Sequence, residues 1–255
     1  MLVLGALVVA LVGGCSAVPA QPSGSPAPAP TATAAVTHSE RPQVEPAPTR
    51  TPAPAEIWDV DSAESLQVVV NKRRPMDPAD FAPELVTVST GNEDGAEVVR
   101  PEVDAALTAL DAAMRAAIGE GTFVTSSYRS YDLQATYYRQ AVARFGQQGA
   151  DTTSARPGHS EHQTGLAIDL MSTSMQCRLA HCFGDTEAGR WIAAHAWEHG
   201  FVVRYPEGSD AVTGYAWEPW HLRYVGPEVS SAMHEQGIAT LEEFFRLPPA
   251  PDYDS

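Results

Sequence analysis

Apolar positions fall into three regimes along the chain. Met1 to Val12 is almost wholly apolar, Pro19 to Pro54 shows no periodicity, and the remainder alternates between helical and strand-like spacing. In the last regime Val103, Leu107, Leu110 and Met114 recur on one helical face, which predicts a helix over 101–118. Pro101 suits its first turn, and Gly119 and Gly121 end it. A second helix is expected from Tyr131 to Phe145 and a third from Thr186 to His199, stopped by Gly200. Gly146 to Ser160 reads as a loop. Strand-like runs lie at 66–70, 122–126, 165–171, 201–205 and 217–225. Short helices are expected at 228–236 and 241–247. Helices first, then mostly strands with short connections, indicate an α+β domain.

The apolar start is too short to span a bilayer, which takes about 20 residues. It fits the apolar region of a signal peptide. No basic residue precedes it, as expected if translation starts a few residues upstream. Val12-Gly13-Gly14-Cys15 resembles a bacterial lipobox, in which the cysteine is lipidated and becomes the new N-terminus. Residues 1–15 are therefore expected to be a lipoprotein-type signal, with a plain secretory signal as the alternative. Ten of the 21 prolines fall between Pro19 and Pro54, so 16–56 reads as a Pro/Ala-rich linker with a reach on the order of 100 Å. The folded domain is expected at 57–247, with a flexible tail at 248–255. The reading places the domain on the outer face of the membrane or in the wall, held through the lipid alone.

The formal net charge is −16, which excludes broad electrostatic binding of nucleic acid or anionic membrane. There are three cysteines. With Cys15 lipidated, Cys177 and Cys182 remain as a pair suited to a disulfide in an oxidising compartment. The rival reading is a metal site of Cys177, His181 and Cys182, against which stands the lack of a second cysteine pair.

Two clusters carry candidate chemistry. One is Ser160-Glu161-His162-Gln163-Thr164-Gly165-Leu166-Ala167-Ile168-Asp169, the other Glu218-Pro219-Trp220-His221. Zinc hydrolases need three protein ligands, an open position and a nearby carboxylate base, and these clusters offer the imidazoles of His162 and His221 with the carboxylates of Asp169 and Glu218. Asp169 ends an apolar run, where a charge is costly unless paired or bound to metal. An odd separation of seven residues would put His162 and Asp169 on opposite faces of one strand. His162 must then reach in from the preceding loop, with Gly165 supplying the turn.

These motifs, Ser-x-His-x-x-Gly-x-Ala-x-Asp and Glu-Pro-Trp-His, resemble the VanY-type D-alanyl-D-alanine carboxypeptidases of the M15 metallopeptidases. Val70–Pro75 with Phe81–Val86, Ser126–Tyr131 with Gln134, and Gly200–Pro206 resemble other parts of that family, so the likeness spans roughly 66–246. The resemblance implies a Hedgehog/DD-peptidase-like fold, with helices packed on a small antiparallel sheet that carries one zinc ion per chain. It implies His162, Asp169 and His221 as zinc ligands and Glu218 as the base that takes a proton from the attacking water. Arg129 would steady the oxyanion or the substrate carboxylate, a task suited to its planar, permanently charged fork. Gln134, Ser160 and Tyr205 would contact substrate. The implied reaction is removal of the C-terminal D-Ala from peptidoglycan stem peptides. L,D-carboxypeptidase or endopeptidase action on the same stems, or a non-catalytic wall-binding role, are the alternatives. A monomer is expected, because no exposed apolar repeat or heptad is visible.

Three further features have plainer readings. Trp220 reads as core packing, and His159 as a loop residue beside the substrate. His195-Ala196-Trp197-Glu198-His199 matches H-x-x-E-H, which on a helix would put both imidazoles on one face. It sits at a helix C-terminus, where histidine is favoured by the macrodipole, and the chain soon enters strands, whereas such a site takes its third ligand from a further helix.

Overall fold

The computed structural model describes residues 58–254. The expected signal, the lipidated Cys15 and the linker lie outside the described residues. Seven short strands and six helices follow in order: β1 (Val86–Thr87), β2 (Gly91–Asn92), β3 (Val98–Val99), α1 (Pro101–Ile118), β4 (Thr122–Ser126), α2 (Tyr131–Thr153), β5 (Ala167–Ser172), α3 (Glu187–His195), β6 (Phe201–Val203), α4 (Asp210–Thr213), β7 (His221–Tyr224), α5 (Pro227–Gln236) and α6 (Leu241–Phe244). Five strands form one sheet in the order β2-β4-β5-β7-β6. Only the β2–β4 pair is parallel. β1 and β3 pair separately. The protein is an α+β domain.

The core forms where α1 and α3 cover the sheet. Val103, Leu107, Leu110 and Met114 of α1 are fully buried with Ile168, Leu170, Leu222 and Phe201. The alternation of β5 turns Ile168 and Leu170 toward one face, so Ala167 and Asp169 share the other. Asp169 pairs in register with His221, and Ala167 with Arg223. His221 and Arg223, two apart, therefore share the face opposite Leu222.

Several elements depart from the expected bounds. α2 continues beyond Phe145 to Thr153, but Gly146 breaks it with φ +72°, a conformation glycine adopts at little cost. The third helix ends at His195, and Ala196–His199 tightens into a 3-10 turn. Residues 66–70 do not join the sheet. Their carbonyls are taken by side chains instead: Arg223 Nη2 donates to Leu66 O (3.0 Å) and Val68 O (2.7 Å), and Arg74 Nε to Val69 O (3.0 Å). In 217–225 only His221–Tyr224 is strand, because the His221 N–H turns back to Glu218 O (3.1 Å). The segment after Leu247, expected to be flexible, is docked. Ala250 is fully buried, and its N–H donates to Val212 O (2.8 Å).

Cys177 and Cys182 are bonded to one another, with Cα atoms 5.6 Å apart. His181, between them, leaves the cysteines and lies nearly parallel to Trp220, with ring centres 6.1 Å apart.

Beneath the site face lies a fully buried ionic network. Arg204 donates from Nη1 and Nη2 to both carboxylate oxygens of Glu242 (2.9 and 2.7 Å), and from Nε to Glu161 Oε1 (2.8 Å). Arg223 Nη1 donates to the same Glu161 oxygen (3.0 Å). Burial alone would raise the Glu242 carboxyl, but Arg204 outweighs it and holds the group below its ordinary value. Arg204→Met would strand the buried Glu242 carboxylate and leave Glu161 with Arg223 alone, and such a break costs about 3–5 kcal/mol. Urea unfolding at pH 7 should show a loss of that size. The Glu242 contribution is complete above about pH 4.3 and is lost as pH falls through its depressed folded value. The stability gap between wild type and Arg204→Met should therefore narrow below about pH 4.

Candidate active site

The site is assembled by a 3-10 turn, two adjacent strands and the bend before β7. Glu161–Thr164 forms the turn, and Gly165 closes it with φ +70°. The left-handed backbone favours glycine, and a Cβ there would also sit tight against Arg100 and Pro83, at 3.0 Å. The turn carries His162 to the face that bears Asp169. His162 Nδ1 lies 2.7 Å from Ser127 O, a contact only an N–H can make, so the Nε2 lone pair is left facing inward. That buried Nε2 has no hydrogen-bond partner and lies 3.6 Å from Asp169 Oδ1. The same Oδ1 is 3.3 Å from His221 Nδ1.

One ligand atom from each of His162, Asp169 and His221 lies within 4.8 Å of the others, and these are the one such group of possible metal ligands among the described residues. Two imidazoles and a carboxylate, mostly buried, with an inward lone pair lacking a partner, fit a divalent metal of zinc type. Glu218 Oε2 is 3.5 Å from His221 Nδ1, beside this group. The His195–His199 pentapeptide does something else: His195 Nδ1 pairs with Glu198 at 2.9 Å, outside the metal group.

Electrostatics separate the two carboxylates. Burial pushes Glu218 up to about 7, although His221 opposes it. Burial would also raise Asp169, but His162 and His221 hold it well below the usual carboxylate range. Burial, helped by the Arg129 charge, pulls His162 down to about 4, whereas at His221 burial is outweighed by Asp169 and Glu161, which push it up to about 9. A strongly ionised carboxylate suits a metal ligand, and one with a raised affinity for protons suits a proton acceptor.

A cleft of about 80 Å³ opens over the group, lined by Arg129, Thr153–Ala155, Ser160, Tyr205, Tyr215, Glu218 and His221 among others. Arg129 stands at the N-terminus of α2, where Ser130 caps the helix by accepting the Leu133 N–H (3.3 Å). Its Nη1 donates to Gln134 Oε1 (3.0 Å). Gln134 does not line the cleft. It is buried and donates from Nε2 to Ala155 O (2.7 Å), so it fixes Arg129 relative to the 153–155 wall. The Tyr205 ring lies 4.7 Å from that of His221. His159 also stays out of the cleft, bonded through Nδ1 to Asn71 O (2.8 Å).

Sequence reasoning passed over Glu161, Arg204, Arg223 and Glu242. Glu161 Oε2 faces His221 Nε2 at 3.7 Å, behind the ring. The available signal was a charge inside each apolar run, Arg204 after Phe201-Val202-Val203 and Arg223 between Leu222 and Tyr224.

Comparison with known proteins agrees with this geometry. The profile of the VanY family, described as D-alanyl-D-alanine carboxypeptidase, matches residues 96–227. A D-alanyl-D-alanine carboxypeptidase of Enterococcus faecalis is 34% identical over 193 residues, covering 72% of this chain and 67% of that one. Among solved structures, the LD-carboxypeptidase LdcB superposes with a TM-score of 0.68 at 35% identity, covering 72% of this chain and 87% of its own. The vancomycin-resistance D,D-pentapeptidase VanY from a VanB-type cassette, in complex with Zn(II), gives 0.60 at 33%, covering 71% and 98%. The profile match spans more than half the chain and includes both motifs that build the site; the chain belongs to the VanY family of carboxypeptidases.

Proposed function

We propose that this protein is a zinc-dependent D,D-carboxypeptidase that removes the C-terminal D-Ala from peptidoglycan stem peptides. The observation that carries the reading is the convergence of His162, Asp169 and His221 within 4.8 Å, with the Glu218 carboxylate beside them. His162, Asp169 and His221 would hold the zinc. When bound, zinc supplies a Lewis acid that acidifies the attacking water and polarises the scissile carbonyl. Glu218 takes the proton as the water oxygen bonds to the carbonyl carbon, then returns it to the nitrogen of the departing D-Ala. Arg129, held by Gln134, presents its guanidinium to the negative charge of the terminal carboxylate or the developing oxyanion. Ser160 and Tyr205 complete the wall against which the terminal residue rests.

L,D-carboxypeptidase action on tetrapeptide stems is the second reading, favoured by the similarity to LdcB. The sequence also supports export and anchoring: an apolar leader, then Val12-Gly13-Gly14-Cys15, then a proline-rich stretch. In this reading Cys15 carries lipid, residues 16–56 tether the domain, and a monomer works at the outer face of the membrane.

Glu218→Ala should retain zinc while its kcat falls by about 10²–10⁴, the usual worth of a general base. Metal analysis beside steady-state kinetics checks this, and full activity in a zinc-loaded variant refutes the mechanism. Digestion of purified pentapeptide and tetrapeptide stems, read by mass, should show chelator-sensitive loss of one residue from the pentapeptide. Loss from the tetrapeptide alone would establish the L,D reading. Cys15→Ser should move the protein from the membrane to the soluble fraction on cell fractionation.

A further inference from the structure

The docked C-terminal segment reaches the outside of the cleft. Its backbone is held at four points, one of them Asp252 O, which accepts from Arg73 Nε (3.3 Å). Ala250 N–H donates to Val212 O (2.8 Å), Pro249 O accepts from Arg73 Nη1 (2.9 Å), and Pro251 O accepts from Lys72 Nζ (3.2 Å). These ties deliver Tyr253 onto the loop that follows α2. The phenol oxygen accepts the Arg156 backbone N–H at 2.8 Å, and the Arg156 guanidinium lies 4.1 Å from the ring centre. The His159 ring meets the same phenol edge-on at 5.1 Å. Asp151 clamps Arg156 from the other side, accepting from Nε (3.0 Å) and Nη2 (2.8 Å).

The residues just before Arg156 are the cleft wall itself. Ser154 and Ala155 line it and accept from Gln134 Nε2, whose Oε1 in turn accepts from Arg129. The 155–160 stretch is irregular and has no strand ladder to hold it. Scattered contacts hold it instead: Gly158 O accepts the Met76 N–H (2.7 Å), His159 bonds Asn71 O (2.8 Å), and Tyr253 adds two contacts at Arg156 and one at His159, next to Ser160. Tyr253 does not itself line the cleft.

We propose that Tyr253 is a positioning residue for substrate binding, and that residues 248–254 strap the 153–160 wall so that Arg129 and Ser160 are preset before the peptide arrives. The proposal rests on the reading of this cleft as the binding place for the C-terminal residue. It concerns the wall and not the metal, so its signature is in KM. A cation–π contact together with one hydrogen bond corresponds to about a tenfold effect when the wall must be ordered by the substrate instead.

The test uses the full chain in detergent, zinc-loaded, with a pentapeptide ending in D-Ala-D-Ala as substrate. Tyr253→Ala should raise KM about tenfold, leave kcat within about threefold, and leave zinc content unchanged. Tyr253→Phe keeps the ring over Arg156 and loses only the acceptor, so its KM should fall between the two. An unchanged KM in Tyr253→Ala, or a loss confined to kcat, overturns the proposal. If thermal melting shows Tyr253→Ala unfolded, Tyr253→Phe decides, because wild-type KM there removes the strap's role. Glu218→Ala run alongside separates the two levels. Full activity in that variant defeats the reading of the cleft, whereas an inactive Glu218→Ala beside a wild-type KM in Tyr253→Ala defeats the strap alone.

Discussion

The Glu161 carboxylate, taken wholly out of water, is the constraint on which the remaining geometry depends. Its Oε1 accepts from Arg204 and Arg223, and its Oε2 faces the far side of the His221 ring. Burial alone would favour the neutral acid, but the two guanidinium groups hold it well below the usual carboxylate range. The ion count closes: Glu161 and Glu242 against Arg204 and Arg223, all fully or almost fully buried. A buried ion costs several kcal/mol to desolvate, so this set is tolerable complete and damaging in part. It also joins four stretches far apart in sequence: the His162 turn, the end of β6, the middle of β7, and α6.

That junction explains how a short, irregular turn can present a metal ligand reproducibly. His162 is not on a strand, and a 3-10 turn has little rigidity of its own. The residue before it is pinned by two arginines, and its own Nδ1 is pinned to Ser127 O. On the other strand, register places His221 opposite Asp169, while Glu161 stands behind the imidazole. Carboxylate partners of this kind orient a ligating ring and raise its basicity. Glu218 has the opposite environment. It has no arginine hydrogen-bonded to it, and its affinity for protons rises with burial. The two glutamates thus take different tasks from their surroundings, although both lie next to proposed ligands in the chain or in space.

Much of this was legible in the sequence because it rests on local chemistry. The α1 face of Val103, Leu107, Leu110 and Met114 follows from spacing, and all four are buried. The odd separation of His162 and Asp169 required a turn between them, and the 3-10 turn closed by Gly165 supplies it. What could not be read depended on distant partners. The 66–70 run has strand composition, but its carbonyls go to Arg223 and Arg74, which no local rule anticipates. Gln134 was expected to touch substrate, whereas its side chain is spent between Arg129 and Ala155. The 248–254 segment is rich in proline and acidic residues, a composition that predicts a loose end. Docking comes from backbone carbonyls meeting Arg73 and Lys72 more than 170 residues earlier.

The geometry also locates where the D,D and L,D readings must part. The residue released is D-Ala in both, so the pocket that receives it faces the same methyl group and carboxylate in either case. Arg129, Ser160 and the 153–155 wall accordingly carry no information about the choice. The two substrates differ in the configuration and side chain of the residue on the acyl side of the scissile bond. In the proposed binding mode that residue lies on the other side of the scissile bond from the terminal carboxylate, away from the wall of Arg129 and Ser160. A flat or open surface there tolerates either configuration, while a side chain standing against one Cα substituent rejects it. Discrimination is therefore a property of the outer rim, independent of the ionic network that fixes the ligands. One buried scaffold can serve both chemistries with changes confined to that rim.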